Sequence, residues 1–361
     1  KDSMVDRVKI TLENFSGNFE NCKNITPKEF IEYPDKKQYD NFVLRNKTEL
    51  DKHDLAISQS RKGIVTIKGS IRKWNFNNAT LLDLTKKSFE KALRNIAKEL
   101  NIPFEELIQG KITQCEIGLN INVSIQAIDI LPMVVDYAHL KRYADRIDEG
   151  TLYFIGHEKR AKLYAKSKEI ADKSSIIKQE GRRNAFKIMQ DKGNDFLRIE
   201  FTLNDQNAFN HHKMKHIQNL GDLLDNYSDL YRFFVREVKR FVLFGKLSYQ
   251  EKRLTPKTKR IIYGLENFGY ETFLEEYQAE CIERSNTSYS KDSAKSTAFK
   301  DIVTILKKYA SPEDYNFMIF NNDIKESLFR KSKEEKIDFS ELSSILDGKQ
   351  PSLSLINRKS K

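Results

Sequence analysis

The chain has 361 residues, a formal net charge of +11 and 32% charged residues, a length that fits two or three domains at ~100–200 residues each. Excess positive charge favours phosphate-bearing partners. No apolar run approaches the ~18 residues of a membrane span, and no hydrophobic signal stretch opens the sequence. Because its three cysteines, Cys22, Cys115 and Cys281, are scattered, we expect neither disulfides nor structural zinc, but a cytoplasmic protein without membrane contact.

The first part of the chain alternates between polar and apolar residues with the two-residue period of half-buried strands. Val5 to Leu12 and Gly63 to Trp74 predict strands, and the polar segment 16–60 between them predicts an excursion. Apolar residues at helical spacing from 81 to 100 predict a helix that packs on the sheet. Residues 112–124 alternate most cleanly, which predicts a strand with one core face and one polar face.

The next segments continue this mixed pattern. Residues 131–146 predict a short helix, 151–157 and 160–166 predict a hairpin, and 196–203 predict another alternating strand. From about residue 220 the apolar spacing becomes helical.

The change of period predicts an α+β protein in which an antiparallel sheet carries helices on one face. We expect this sheet domain to span residues 1–210, an α-helical domain to span 211–345, and a flexible tail to span 346–361.

Polar residues on three predicted strands lie opposite the apolar ones. Tyr164 falls between Lys162 and Lys166 on one strand face, where a positive field would favour the phenolate form of a nucleophilic tyrosine. If adjacent strands bring Glu116 and Glu200 together, they offer the hard oxygen ligands that Mg²⁺ or Mn²⁺ prefers. The set predicts phosphoryl transfer to tyrosine, although the same pattern is typical of a solvated sheet face.

Three short motifs in this order resemble the Rep-trans class of rolling-circle replication initiators and related phage replication proteins, which include the filamentous-phage gene II protein. That class carries an acidic residue between hydrophobic ones, then a Tyr-x-Lys-x-x-Glu element, then a Leu/Val-Arg-Ile/Val-Glu strand. The chain has Cys115-Glu116-Ile117, then Tyr164-Ala165-Lys166-Ser167-Lys168-Glu169, then Leu197-Arg198-Ile199-Glu200. The resemblance covers residues 5–205 and none of the helical part that follows.

The resemblance implies a ferredoxin-like or palm-type nuclease domain that nicks and rejoins DNA to initiate phage or plasmid replication in a bacterial cell. Tyr164 would attack an origin phosphodiester and form a 5′-phosphotyrosine link, with Lys166 assisting and with Mg²⁺ or Mn²⁺ held by Glu116 and Glu200. The implied partners are origin DNA, single-stranded or supercoiled, and a host helicase and polymerase. Further candidates for the site are Glu169, Asn120, Arg198, Lys162 and His157.

Basic residues outside this site predict contacts with DNA phosphates. They are Arg72, Lys73, Arg253, Lys257, Lys259 and Arg260. Better-known replication endonucleases hold their metal with a His-hydrophobic-His pair, which this sequence lacks. A GxxxxGK[ST] phosphate loop is also absent, so we do not expect helicase activity. A mobilisation relaxase with the same chemistry, and a non-catalytic basic DNA-binding regulator or scaffold, remain alternatives.

Overall fold

A large antiparallel sheet dominates the computed structural model, which describes residues 4–19, 22–27, 39–45, 54–76, 83–174, 195–284 and 290–347. The strands are β1 Val5–Leu12, β2 Ile25–Pro27, β3 Tyr39–Leu44, β4 Leu55–Ser60, β5 Val65–Ser70, β6 Lys111–Val123, β7 Val134–Tyr137, β8 Lys141–Tyr143, β9 Thr151–Ile155, β10 Lys159–Ala165, β11 Asp195–Leu203 and β12 Phe241–Leu243. Ten of them pair in the order β2-β3-β4-β5-β1-β6-β11-β10-β9-β8, and β12 pairs with β7 in a separate two-stranded sheet.

Helices connect the strands and make up most of the chain after the last long strand. They are α1 Ile71–Asn75, α2 Lys86–Glu99, α3 Phe104–Ile108, α4 Ala127–Ile130, α5 Lys166–Ser174, α6 Gln206–His211, α7 Leu220–Asp225, α8 Tyr227–Val238, α9 Pro256–Phe268, α10 Tyr270–Glu283, α11 Ser290–Tyr309, α12 Phe317–Glu335 and α13 Phe339–Leu346. The prediction of a mixed helix and sheet protein with a large antiparallel sheet is therefore confirmed. Among the described residues, no helix is both long and apolar enough to span a membrane.

The apolar face of the sheet is buried beneath aromatic residues of α8 and β12. Phe201 on β11 packs against Phe233 and Phe234 of α8 and against Phe241 of β12, with ring centroids 5.4–6.0 Å apart. All four side chains are at most 1% exposed. Burying aromatic rings of this size is among the largest favourable contributions to a protein core, so this contact holds the sheet and α8 together.

The main core contains residues from both sides of the boundary that we predict near residue 210. It includes Val8 and Ile117 of the central strands together with Phe320, Ile324 and Leu328 of α12. A second apolar cluster lies within the later helices and contains Ile261 and Leu265 of α9, Phe273 of α10 and Ile302 of α11. Helices from the C-terminal part therefore support the sheet directly.

Helix α12 packs beside the end of β6. Strand β1 pairs with β6 only as far as Ile117, so among the described residues no strand lies on that side of the end of β6. There the backbone N–H groups of Asn122 and Ser124 donate to Ser327 Oγ and Asp323 Oδ2 of α12, both at 3.2 Å. Because an unpaired buried backbone N–H is costly, these contacts fix α12 against the centre of the sheet.

Several sequence predictions of elements are confirmed and others are wrong. The strands β1, β6 and β11 and the β9–β10 hairpin lie where the alternation predicts them, and helix α2 lies where the helical spacing of apolar residues predicts it. The segment 16–60 is not an excursion, since β2, β3 and β4 extend the sheet. These strands lie toward one edge of the sheet and several of their side chains are only partly buried, so they give a weak alternating signal.

Two further predictions fail for local reasons. The predicted strand through Trp74 ends at Ser70, whose side chain accepts a hydrogen bond from the Lys73 N–H and so caps α1. Residues 131–146 form strands β7 and β8 and not a helix, because Tyr137 pairs with Phe241 of β12. Most of the predicted tail, residues 348–361, lies outside the described residues.

Candidate functional site

The three sequence motifs meet on the polar face of the central strands. In the register of β10 and β11, Tyr164 lies opposite Arg198 and Lys162 lies opposite Glu200. In the register of β11 and β6, Glu200 lies opposite Gly118, two residues along the strand from Glu116. Diagonal neighbours on one sheet face are within reach of long side chains, so five of the predicted site residues form one cluster: Glu116, Lys162, Tyr164, Arg198 and Glu200.

A carboxylate that the sequence analysis missed completes this cluster. Oxygens of Asp6, Glu116 and Glu200 all lie within 4.8 Å of one another. By simple alternation Asp6 would share the apolar face with Val8, but the pairing of β1 with β6 shifts between Val5 and Arg7. This irregularity gives β1 one extra residue, which reverses the direction of a side chain in the manner of a β-bulge.

Arg198 is the centre of the hydrogen-bond network. Its guanidinium is fully buried and donates to Glu200 Oε1 at 2.5 Å, Asp83 Oδ1 at 2.7 Å and Asp6 Oδ2 at 2.9 Å. It also donates to Asn120 Oδ1 at 3.1 Å. Burial alone would lower the pKa of Arg198, but the surrounding acids outweigh burial and hold that pKa well above its ordinary value. Arg198 is therefore permanently charged.

Gly118 provides the space that this arrangement needs. A Cβ atom at position 118 would lie 2.8 Å from Glu200 Cγ and 3.0 Å from Arg198 Nη2. Both distances are tighter than ordinary van der Waals contact, so any larger residue would displace Glu200 or Arg198. The glycine of the Glu-Ile-Gly-Leu-Asn strand thus has a packing role within the cluster.

Tyr164 lies among the expected neighbours but is not on an exposed face. The ammonium groups of Lys162 and Lys166 lie 4.2 and 5.2 Å from its ring centroid, and its hydroxyl donates to Glu200 Oε1 at 3.1 Å. The side chain is only 6% exposed. Burial first, and then Glu200, raise the pKa of Tyr164 well above its ordinary value. The expected phenolate is therefore wrong for this structure, since the hydroxyl keeps its proton.

Lys166 and Glu169 form a buried pair at the start of α5. The chain leaves β10 at Ala165, so Lys166 is the first helical residue and not the last strand residue that we predict. Its ammonium group is fully buried and contacts the Glu169 carboxylate. Burial lowers the pKa of Lys166 to about 7 even though Glu169 opposes that shift. Lys166 can therefore gain or lose a proton near neutral pH.

The acidic cluster fits a hard divalent cation by its donor chemistry. Arg72 and Arg198 outweigh burial and hold the pKa of Asp6 well below its ordinary value. Burial, then Glu200 and Asp6, raise the pKa of Glu116 to about 7. The oxygens of these three carboxylates are the kind of ligand that Mg²⁺ and Mn²⁺ prefer.

The C-terminal helix α12 contributes a cation to the same network. Lys331 Nζ lies 3.3 Å from Asp83 Oδ2, and both residues are buried. Asn120 Nδ2 donates to the same oxygen of Asp83 at 3.4 Å. Asp83 and Lys331 are 248 residues apart in the chain, so no local pattern could have joined them.

Three other predicted residues lie outside the carboxylate cluster or are buried next to it. His157 is exposed in the turn that precedes β10, at the opposite end of that strand from Tyr164, so it is not part of the cluster. Arg72 is fully buried and its Nη2 lies 2.8 Å from Asp6 Oδ2, so the prediction that it contacts DNA is wrong. Lys73 is partly buried beside it, and burial lowers its pKa.

The remaining basic candidates lie on the helical part of the chain. Arg253, Lys257, Lys259 and Arg260 are all exposed at or near the start of α9. Three of them have acidic partners: Lys257 pairs with Asp301, Lys259 with Glu251 and Arg260 with Glu280. Their contact with DNA stays a prediction.

Comparison of the chain with protein-family models, with curated proteins and with solved structures finds no match. The resemblance to replication initiators therefore rests on the three sequence motifs alone.

Replacing Arg198 with methionine tests whether it holds the cluster together. Arg198→Met would leave the Asp6, Asp83 and Glu200 carboxylates with fewer cations in a buried site, so we expect the free energy of unfolding to fall by about 3–5 kcal/mol. Urea denaturation measures this loss. Arg198→Lys keeps the charge and should lose less. A stability equal to that of the parent in Arg198→Met would contradict the central role of this residue.

The raised pKa of Glu116 predicts a pH-dependent stability. The unfolded chain loses this proton near pH 4.5 and the folded protein near pH 7, so the stabilisation present below pH 4.5 is lost as the pH rises to about 7. In metal-free buffer, we expect the free energy of unfolding of Glu116→Gln to equal that of the parent at low pH and to exceed it by about 3 kcal/mol above pH 7. Urea denaturation at low pH and above pH 7 measures the difference in free energy of unfolding between the variant and the parent. The same difference at both pH values would contradict the prediction.

Proposed function

We propose that this protein is a DNA nicking and joining endonuclease that uses Tyr164 as its nucleophile and initiates rolling-circle replication. One observation carries the proposal. The tyrosine and the two glutamates come from three motifs that are far apart in the sequence, yet the Tyr164 hydroxyl lies 3.1 Å from Glu200, and Glu200 lies in one carboxylate cluster with Glu116. The same motifs, in the same order, underlie the resemblance to replication initiators of the Rep-trans class.

The proposed reaction transfers a DNA phosphoryl group to the tyrosine. The Tyr164 oxygen forms a bond to phosphorus, the bond from phosphorus to the 3′ oxygen breaks, and a 5′-phosphotyrosine link and a free 3′-OH result. Glu200 Oε1 already accepts the hydrogen bond of the phenol, so it is placed to take its proton. Lys166, with a pKa of about 7, can supply the proton that the leaving 3′ oxygen needs. Because the link stores the bond energy, rejoining requires no ATP.

Asp6, Glu116 and Glu200 would hold the divalent cation that this chemistry implies. When bound, Mg²⁺ or Mn²⁺ would neutralise the negative charge that develops on the transferring phosphoryl group. Lys162 would assist this charge neutralisation, because its Nζ lies on the same face, 3.9 Å from Glu200 Oε2. Since Tyr164 is only 6% exposed, the side chains that cover its hydroxyl must move before a phosphodiester can reach it.

The direct test is the covalent intermediate itself. Purified protein is incubated with labelled single-stranded or supercoiled DNA and Mg²⁺ or Mn²⁺, and the products are separated under denaturing conditions. We expect labelled DNA to migrate with the protein and to be released by protease. Peptide mapping of the adduct should identify Tyr164; an adduct on another residue would overturn the assignment.

The burial of Tyr164 favours one alternative, a non-catalytic DNA-binding regulator whose polar cluster only stabilises the fold. Its hydroxyl is engaged by Glu200, and the neighbouring charged groups are largely paired with one another. A protein that binds origin DNA but forms no adduct with any metal or any strand would support this alternative. A relaxase would form the same adduct, with a transfer origin as its substrate.

A further inference from the structure

A groove with exposed aromatic rings lies on the helical part of the chain, between the segment that precedes α9 and α9 itself. It has a volume of about 350 Å³, within the size range of small-molecule sites, roughly 300–1,000 Å³. Tyr249 and Tyr263 both line it, and so do Lys259 and Arg260. The groove is built from elements outside the sheet, so it is separate from the candidate active site.

The two tyrosine rings are available for contact with a ligand. Tyr263 is 63% exposed and Tyr249 37% exposed, whereas the neighbouring Ile261 and Ile262 of α9 are buried in the second apolar cluster. Packing of α9 therefore does not account for the ring of Tyr263. The Tyr249 hydroxyl donates to Glu266 Oε2 at 2.9 Å, which fixes the orientation of its ring. The two rings therefore offer the groove aromatic faces that the core does not use, on which a flat group can stack.

The charged residues that line the groove are two cations, Lys259 and Arg260, and two carboxylates, Glu251 and Glu266, and the adjacent Lys252 and Arg253 make the sum positive. Lys252 and Arg253 are exposed between Glu251 and Leu254, which both line the groove, and neither forms an ion pair within the described part of the chain. Helix α9 begins there with Thr255 as its cap and has no acidic residue in its first turn. The partial positive charge of the helix N-terminus is thus added to that of the side chains. Glu251 forms an ion pair with Lys259, and Glu266 accepts a hydrogen bond from Tyr249.

We infer that this groove binds single-stranded nucleic acid, with bases stacked on Tyr263 and Tyr249 and phosphates contacting Lys252 and Arg253. Exposed aromatic rings beside cations are the combination that recognises unpaired bases and their backbone together. A duplex keeps its bases stacked inside, so it would contact the cations and leave the rings unused. This binding site goes beyond the proposed nicking reaction, and it does not depend on Tyr164.

Fluorescence anisotropy with labelled oligo(dT) of about ten nucleotides tests this inference in EDTA, where no cleavage interferes. Stacking on an aromatic ring is worth about 1–3 kcal/mol per base, so Tyr263→Ala should weaken binding roughly 5- to 150-fold. Tyr263→Phe keeps the ring and should bind like the parent. Met318→Ala removes a side chain of similar exposure, 67%, from α12 and should also bind like the parent.

Salt dependence tests the charged half of the groove. The double variant Lys252→Gln, Arg253→Gln should reduce the slope of log affinity against log salt by about 0.7 for each phosphate of a single strand that the variant no longer neutralises. The inference is overturned if Tyr263→Ala binds oligo(dT) as tightly as the parent does. It is overturned too if the substitution weakens binding of a duplex of equal length as much as it weakens binding of oligo(dT). It is also overturned if poly-glutamate competes as well as oligo(dT), because the groove would then recognise charge alone. None of these outcomes bears on the adduct assay.

Discussion

Tyr164→Phe is expected to abolish nicking and the covalent adduct, with a fall in rate on the order of 10⁴-fold or more, while DNA affinity stays nearly unchanged. The substitution removes one hydroxyl from a buried ring, and the ring keeps its contacts with Lys162 and Lys166. Glu200 loses one hydrogen bond but retains its ion pair with Arg198, so the cost in stability should be only about 1 kcal/mol. Denaturing electrophoresis and a plasmid-relaxation assay measure the two activities.

Tyr153→Phe is the matched control. Tyr153 is on β9, opposite Lys162 of β10, and its ring centroid is 5.8 Å from the Lys162 ammonium group. It therefore shares the surroundings of Tyr164, but no hydrogen bond joins it to Glu200 in the described structure. We expect this variant to nick and form the adduct normally. An adduct that persists in Tyr164→Phe and disappears in Tyr153→Phe would mean that the nucleophile is on the other strand of the hairpin.

The polar face of the site was predictable because strand alternation is a local property. Glu116, Tyr164 and Glu200 each lie opposite apolar neighbours in their own strands, and the antiparallel pairing of β6, β11 and β10 brings them together. The burial of Tyr164 was not predictable in this way. Polar residues on a strand normally face solvent, whereas here oppositely charged side chains form buried ion pairs with one another on this face.

Asp6 and Lys331 show two other limits of sequence patterns. Asp6 reaches the polar face only because the register of β1 shifts beside it, and no apolar pattern marks such an irregularity. Lys331 reaches Asp83 because α12 packs against the end of β6. That contact depends on tertiary packing across most of the chain. The same reason explains why the sequence predicts a boundary near residue 210 although the main core includes residues from both sides of it.

Glu116→Gln and Glu200→Gln should each slow DNA cleavage by about 10³-fold or more. Each substitution removes one of three carboxylate ligands, so the cation that neutralises the transferring phosphoryl group would bind more weakly. Both variants should also bind Mn²⁺ more weakly in calorimetry. Glu105→Gln, an exposed change on α3, is the control and should leave cleavage and Mn²⁺ binding unchanged. Normal cleavage by either variant at low metal concentration would remove that residue from the site.

The two variants should differ in stability, and this difference separates a metal ligand from a structural residue. Glu200 lies 2.5 Å from Arg198 and accepts the hydrogen bond of Tyr164, so Glu200→Gln weakens a buried ion pair and should destabilise the fold. Glu116 has a raised pKa, so Glu116→Gln should leave the fold at least as stable at neutral pH. A loss of cleavage in Glu116→Gln with full stability would place Glu116 in the chemistry. Full cleavage in that stable variant would mean that Asp6 and Glu200 hold the cation without it.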